Sequence, residues 1–99
     1  MEKDAVASVI RSFFEKEFRD SGIKIYNSMD LIKDLYIDSI FTIKVVFFLE
    51  KEFDIEINAG DVNKNNFKSI DTLTKFTYKK LAIKKWPLLQ IKNKSAITK

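Results

Sequence analysis

The chain contains neither cysteine nor histidine. It therefore lacks a thiol nucleophile, an imidazole base and any ordinary zinc site. No disulfide can staple the fold, which fits a reducing compartment. Asp, Glu, Lys, Tyr and Ser remain, a thin set for an autonomous enzyme, so a non-catalytic role is expected. There is also no apolar run long enough to span a bilayer. The opening Met1-Glu2-Lys3-Asp4 carries two acids and does not read as a signal peptide, so a cytoplasmic location is expected.

What the chain does have is apolar mass. Its 99 residues suit one small domain, and 45% of them, nine Phe included, are hydrophobic. That is enough to bury a core, and it argues against disorder throughout. The net charge of +4 hides a division. Residues 1–71 hold 10 basic and 14 acidic residues, a net of −4, whereas residues 72–99 hold eight Lys and no acid, a net of +8. A uniformly basic protein would suggest nucleic acid. An acidic body with a basic end does not.

The apolar spacing predicts an amphipathic helix from about Asp4 to Phe18, with Val6, Val9, Ile10, Phe13 and Phe14 on its inner face. Asp20-Ser21-Gly22 ends it. A connection of about eighteen residues follows, unusually long for a compact domain. It carries its own anchors in Ile23, Ile25, Leu31, Ile32, Leu35 and Ile37, and Ser28 or Asp30 can cap one helical turn within it. The next helix runs from Asp38-Ser39 to about Phe53. Its apolar residues reach almost all the way round, so it is central to the fold, docks onto a partner, or does both. Asp54-Ile55-Glu56-Ile57 reads as an extended exit and Ala59-Gly60-Asp61-Val62 as one short helix. Asn63-Lys64-Asn65-Asn66 reads as a polar connection. Ser69 caps a last helix whose inner face is Ile70, Leu73, Phe76, Thr77 and Leu81, and Trp86-Pro87 interrupts it. The fold expected is an all-α bundle of three main helices plus one short helix.

Taken alone, Asp38-Ser39 is a common way to begin a helix. Its setting is more specific. The segment Leu31-Ile32-Lys33-Asp34-Leu35-Tyr36-Ile37-Asp38-Ser39-Ile40 leads into a long hydrophobic helix that ends Leu49-Glu50-Lys51-Glu52-Phe53 and exits through Asp54-Ile55-Glu56-Ile57. Asp61-Val62 and Asn66-Phe67-Lys68-Ser69-Ile70-Asp71-Thr72-Leu73 follow in order. From about Val6 to Leu81 this arrangement resembles the acyl carrier protein family. The resemblance implies that Ser39 is the attachment point of 4'-phosphopantetheine, moved there from coenzyme A by a phosphopantetheinyl transferase. The arm's thiol then carries an acyl group between acyl-loading and acyl-using enzymes. Asp38 would cap the helix and contribute to recognition by the transferase.

Three features depart from the family's pattern. Tyr36 stands where the family usually has Gly, a strained choice if that backbone has a positive φ. Phe41 and Lys44 stand where acids are common, and Phe47 occupies a partner-facing apolar position. With Ile40 these form the expected partner-binding set, although extra core packing is an equally open reading of the two rings. Third, the basic end is an addition. The carrier domain is expected over residues 1–84 and the extension over 85–99. Around and beyond that boundary, Lys84, Lys85, Trp86, Leu88, Leu89, Ile91 and Lys92 are either solvated or form an interfacial or partner contact, including contact with a membrane. The reading is a monomeric carrier for a specialised fatty-acid, polyketide or lipid pathway, without affinity for nucleic acid. A peptidyl or aminoacyl carrier, or a helical interaction module without a prosthetic group, is the alternative.

Overall fold

A computed structural model describes residues 2–85. Within them the chain is all helical, in the order α1 (Lys3–Glu17), α2 (Leu31–Leu35), α3 (Ser39–Phe53), α4 (Lys64–Phe67) and α5 (Ile70–Lys85). Single 3₁₀ turns lie at Arg19–Ser21 and Ala59–Asp61. No helix among the described residues is long and apolar enough to cross a membrane. The break expected at Trp86-Pro87 and the extension beyond it lie outside the described residues.

Helix α1 buries Val6, Ile10 and Phe14, one residue per turn, and packs along α5. It ends in the turn before Gly22, whose φ of 76° is one that glycine adopts without a steric penalty. Phe13 stacks on Phe48 with ring centroids 4.2 Å apart, and Phe18 packs on Phe41 at 5.3 Å. These pairings advance along α1 while they retreat along α3, so the two helices run antiparallel. Helix α5 opens with a reciprocal cap. The Thr72 N–H donates to Ser69 Oγ and the Ser69 N–H donates to Thr72 Oγ1, each at 3.0 Å. Ile70, Leu73, Phe76 and Thr77 are buried as the spacing predicts, and Leu81 is half-buried. The Thr77 hydroxyl is enclosed without a hydrogen-bond partner, a burial that costs about 1–3 kcal/mol.

The helical turn expected within the long connection is present, with Asp30 capping α2 by accepting the Lys33 N–H at 2.9 Å. One local expectation differs from the structure, because Asn63-Lys64-Asn65-Asn66 is not a plain connection. The Asn63 side chain accepts the Asn66 N–H at 2.9 Å and starts the short helix α4. In both cases an Asx side chain supplies the first turn that the periodicity of so short a segment cannot signal.

Helix α3 is as apolar as its sequence suggests, but its faces differ. Val45, Leu49 and Phe53 are buried. Phe41 is half-buried, and its ring lies 5.3–6.1 Å from those of Phe13, Phe14 and Phe18. Of the two readings left open for the Phe41 ring, the structure shows packing: it belongs largely to the aromatic cluster between α1 and α3. Phe47, by contrast, is 65% exposed.

Three outcomes follow for stability. Phe41→Ala should destabilise the bundle by about 2 kcal/mol, below the full cost of a buried ring because the site is half-buried, and Phe47→Ala by no more than about 0.5 kcal/mol. Denaturant unfolding of the two variants measures the contrast. Tyr36, at the end of α2, has φ 53° and ψ 43°, a conformation costing an L-residue about 1–2 kcal/mol. Tyr36→Gly should therefore raise stability by up to about 1 kcal/mol, the greater freedom of unfolded glycine offsetting part of the gain, whereas the β-branched Tyr36→Val should lose about 1 kcal/mol. Finally, the Lys80 ammonium 2.9 Å from Asp61, helped by the Asn58 N–H, holds the Asp61 carboxyl below its ordinary value of 3.8. A lowered folded-state pKa means stabilisation that is complete above the unfolded value and lost as pH falls through the folded one. Below about pH 4 the wild type should thus lose thermal stability faster than Asp61→Asn.

Candidate functional site

Asp38 is the N-cap of α3. Its Oδ1 accepts the Phe41 N–H at 2.8 Å, and its carbonyl accepts the Thr42 N–H at 3.0 Å and the Thr42 hydroxyl at 2.9 Å. The carboxylate and the carbonyl of one residue thus occupy two of the first-turn donors and fix where the helix begins. Ser39 is the first helical residue and is exposed. Its hydroxyl stands at the end of the helix where backbone N–H groups point outward and the macrodipole is positive. An anionic group esterified there sits in a favourable field.

Beside Ser39 a cavity of about 340 Å³ opens between the helices. Its apolar walls include Phe14 from α1, Leu31 from α2, Val45 from α3, Phe67 from α4 and Leu73 from α5, all buried residues of the core. The exposed Asp38, Ser39, Asn63 and Lys64 stand at its rim. This volume lies within the range of small-molecule sites, and the arrangement of an apolar interior below a few polar groups is typical of them. Chemically, the site offers an exposed serine at the positive end of a helix dipole next to a largely apolar slot. Among the described residues no group of three or more Asp or Glu side chains is placed to hold a metal ion.

The other expected site residues divide. Ile40 is 77% exposed and lies one position past Ser39. Lys44 bends back along the helix to an ion pair with Glu17 at 2.6 Å, with its own side chain more than half exposed. An exposed pair of this kind contributes at most about 1 kcal/mol. Phe47 points outward, whereas Phe41 does not. One residue missing from the expected set is Ile43, 53% exposed between Ile40 and Phe47. The i, i+3, i+7 spacing of these three places them on one face of α3, a pattern available in the sequence. The cavity itself had no such signal, because its walls come from five separate elements.

No family model matches the chain. Curated relatives do. The acyl carrier proteins of two strains of Buchnera aphidicola subsp. Acyrthosiphon pisum, Tuc7 and APS, are each 44% identical to it over 59 residues, covering 58% of this chain and 74% of theirs. That of Buchnera aphidicola subsp. Schizaphis graminum is 42% identical over 68 residues, covering 67% of this chain and 86% of the relative. On this similarity, together with an all-helical bundle in which Asp38 caps the helix that begins at Ser39, the chain belongs to the acyl carrier protein family.

Proposed function

We propose that this protein is a non-catalytic acyl carrier, holding acyl intermediates as thioesters on a 4'-phosphopantetheine arm attached through Ser39. The observation that carries the reading is the exposed Ser39 hydroxyl at the head of α3, next to an apolar cavity. The residues present fit the group. Ser39 Oγ is accessible for a phosphodiester, the α3 N-terminus favours its negative charge, and Asp38 keeps the first turn rigid beneath it. When bound, the group supplies a terminal thiol, which the chain itself lacks. The cavity walls around Phe14, Leu31, Val45 and Leu73 offer an acyl chain a place away from water, where burial of each methylene is favourable by about 0.8 kcal/mol. Such walls favour an aliphatic acyl cargo over an aminoacyl one, whose charged amine would lose hydration there. The partners are a phosphopantetheinyl transferase, for which Asp38 is part of the recognised motif, and the enzymes that load and use the acyl group. A specialised fatty-acid, polyketide or lipid pathway in the cytoplasm accounts for the absence of acids from the first three turns of α3.

Incubation with coenzyme A and a broad-specificity phosphopantetheinyl transferase, followed by intact-mass measurement, tests this. One phosphopantetheine mass should be added to the wild type and none to Ser39→Ala, whose helical circular dichroism should be unchanged because Asp38 still caps α3. An adduct that persists in Ser39→Ala overturns the attachment site. No adduct on the folded wild type favours a helical interaction module instead.

A further inference from the structure

The carrier reading leaves one strongly basic surface unused, the outer face of α5. Lys75, Tyr78, Lys79 and Ile83 follow at i, i+3, i+4 and i+8, a spacing that places them on one side of the helix over about 12 Å. Lys75 and Lys79 are exposed, and Tyr78 and Ile83 are 42% and 53% exposed. Asp71 stands one turn before Lys75, and no acid follows it in the chain. Two acids approach this face from other elements. Asp61 is bound to Lys80 at 2.9 Å, and Asp4 on α1 shares a groove with Lys75 but has Lys3 beside it. Neither takes up Lys75 or Lys79, which make no ion pair among the described residues. From α4 the neighbours are the neutral Asn65 and Asn66. The face therefore keeps its positive charge, and the sequence beyond Ile83 adds five further lysines and Trp86.

We infer that the outer face of α5 lies on an anionic lipid surface, with the ammonium groups of Lys75 and Lys79 among the headgroups and Tyr78 and Ile83 at the boundary with the acyl chains. The pattern is that of an interfacial helix, whose lysines are drawn by surface charge while its apolar side chains enter the interface. A bilayer fits this chemistry better than nucleic acid or an acidic protein. Recognition of either in a fixed register draws on the planar fork of arginine, which binds phosphate or carboxylate through two parallel bonds. Arg19 is the last arginine in the chain, and every cation after it is a lysine. Lysines act as point charges, which suits the diffuse field of fluid headgroups. Tyr78, with an apolar ring and a polar tip, belongs to the same boundary. None of the four residues lines the cavity beside Ser39, so the membrane contact and the carrier site use separate surfaces of the bundle.

Co-sedimentation of the full chain with vesicles of equimolar phosphatidylcholine and phosphatidylglycerol tests this, with vesicles of phosphatidylcholine alone as the comparison. The chain should bind the anionic vesicles and not the neutral ones, and raising NaCl from about 0.05 M to about 0.5 M should weaken the binding at least about tenfold, because the attraction is screened. Lys75→Gln/Lys79→Gln should lower the partition coefficient at least about tenfold, a lysine near such a surface being worth about fivefold. Its unfolding midpoint should be held, since both side chains are exposed and unpaired. Tyr78→Ser/Ile83→Ser should lower the partition a few-fold at either salt concentration. The proposal is overturned if the wild type ignores anionic vesicles, if it binds neutral ones equally, or if the folded lysine variant partitions as the wild type does. It is equally overturned if an RNA oligonucleotide binds more tightly than the vesicles through the same lysines. A concentration-dependent dimer that the lysine variant abolishes overturns it too, by assigning the face to a second copy of the chain. The measurement needs no group on Ser39, so its failure leaves the carrier reading standing.

Discussion

Two backbone hydrogen bonds hold the long connection between α1 and α3 against the start of α5: the Leu31 N–H donates to the Lys68 carbonyl at 2.7 Å, and the Asp71 N–H donates to the Asn27 carbonyl at 3.0 Å. Arg11 adds a third tie from α1 to the Asn27 side chain at 3.2 Å. A connection this long is entropically expensive to order, and these bonds alone, worth about 1 kcal/mol each, do not offset it. The apolar anchors contribute more. Ile25, Met29, Leu31 and Leu35 are buried among the helices, each burial worth about 1.5–3 kcal/mol. The hydrogen bonds set the register and the anchors supply the energy. The place of Ser39 follows from both, because α2 hands the chain to α3 through only Tyr36, Ile37 and Asp38.

That short handover explains the strained Tyr36. The chain must pass from α2 into α3 in three residues, and the left-handed conformation of Tyr36 ends α2 so that it can. Glycine would reach the same backbone without the steric cost. A tyrosine there, 86% exposed, gains no packing in return, so its cost is borne by the rest of the fold. The Leu31 wall of the cavity and the Asp38 cap on either side of the turn hold it in place, an over-determined setting in which local strain persists.

The sequence made the long helices legible because each repeats its apolar residues over several turns. It made the start of α3 at Ser39 legible because an N-cap acid is a local signal, whereas a role for Ser39 was implied only by the resemblance of the whole segment around it. Less was legible where a structure depends on side chains that are distant in sequence. Phe41 and Phe47 have the same chemistry six residues apart on one helix. Only the positions of Phe13, Phe14 and Phe18 on α1 decide that one ring is drawn inward and the other left in solvent. Helix α4 escaped notice for a related reason. Four residues cannot display a helical period, and the cap at Asn63 looks like loop composition until its partner Asn66 is seen. The cavity is the extreme case, since no single element contains enough of it to leave a pattern.

The same arrangement links the cavity to the outer surface of the bundle. Val45 lines the cavity on the inner side of α3, while Ile43 and Phe47, two residues before and after it, lie on the outer side. Helix interiors are close-packed and shift as units rather than deforming residue by residue. The cavity face at Val45 and the outer face at Ile43 and Phe47 therefore belong to one rigid body, separated by the thickness of a single helix. Few of the groups involved are charged, so neither face depends on long-range fields. Both depend on how Phe41 and Phe48 of α3 sit against Phe13 and Phe14 of α1. The aromatic cluster that draws Phe41 inward thus also fixes how both faces of α3 are held.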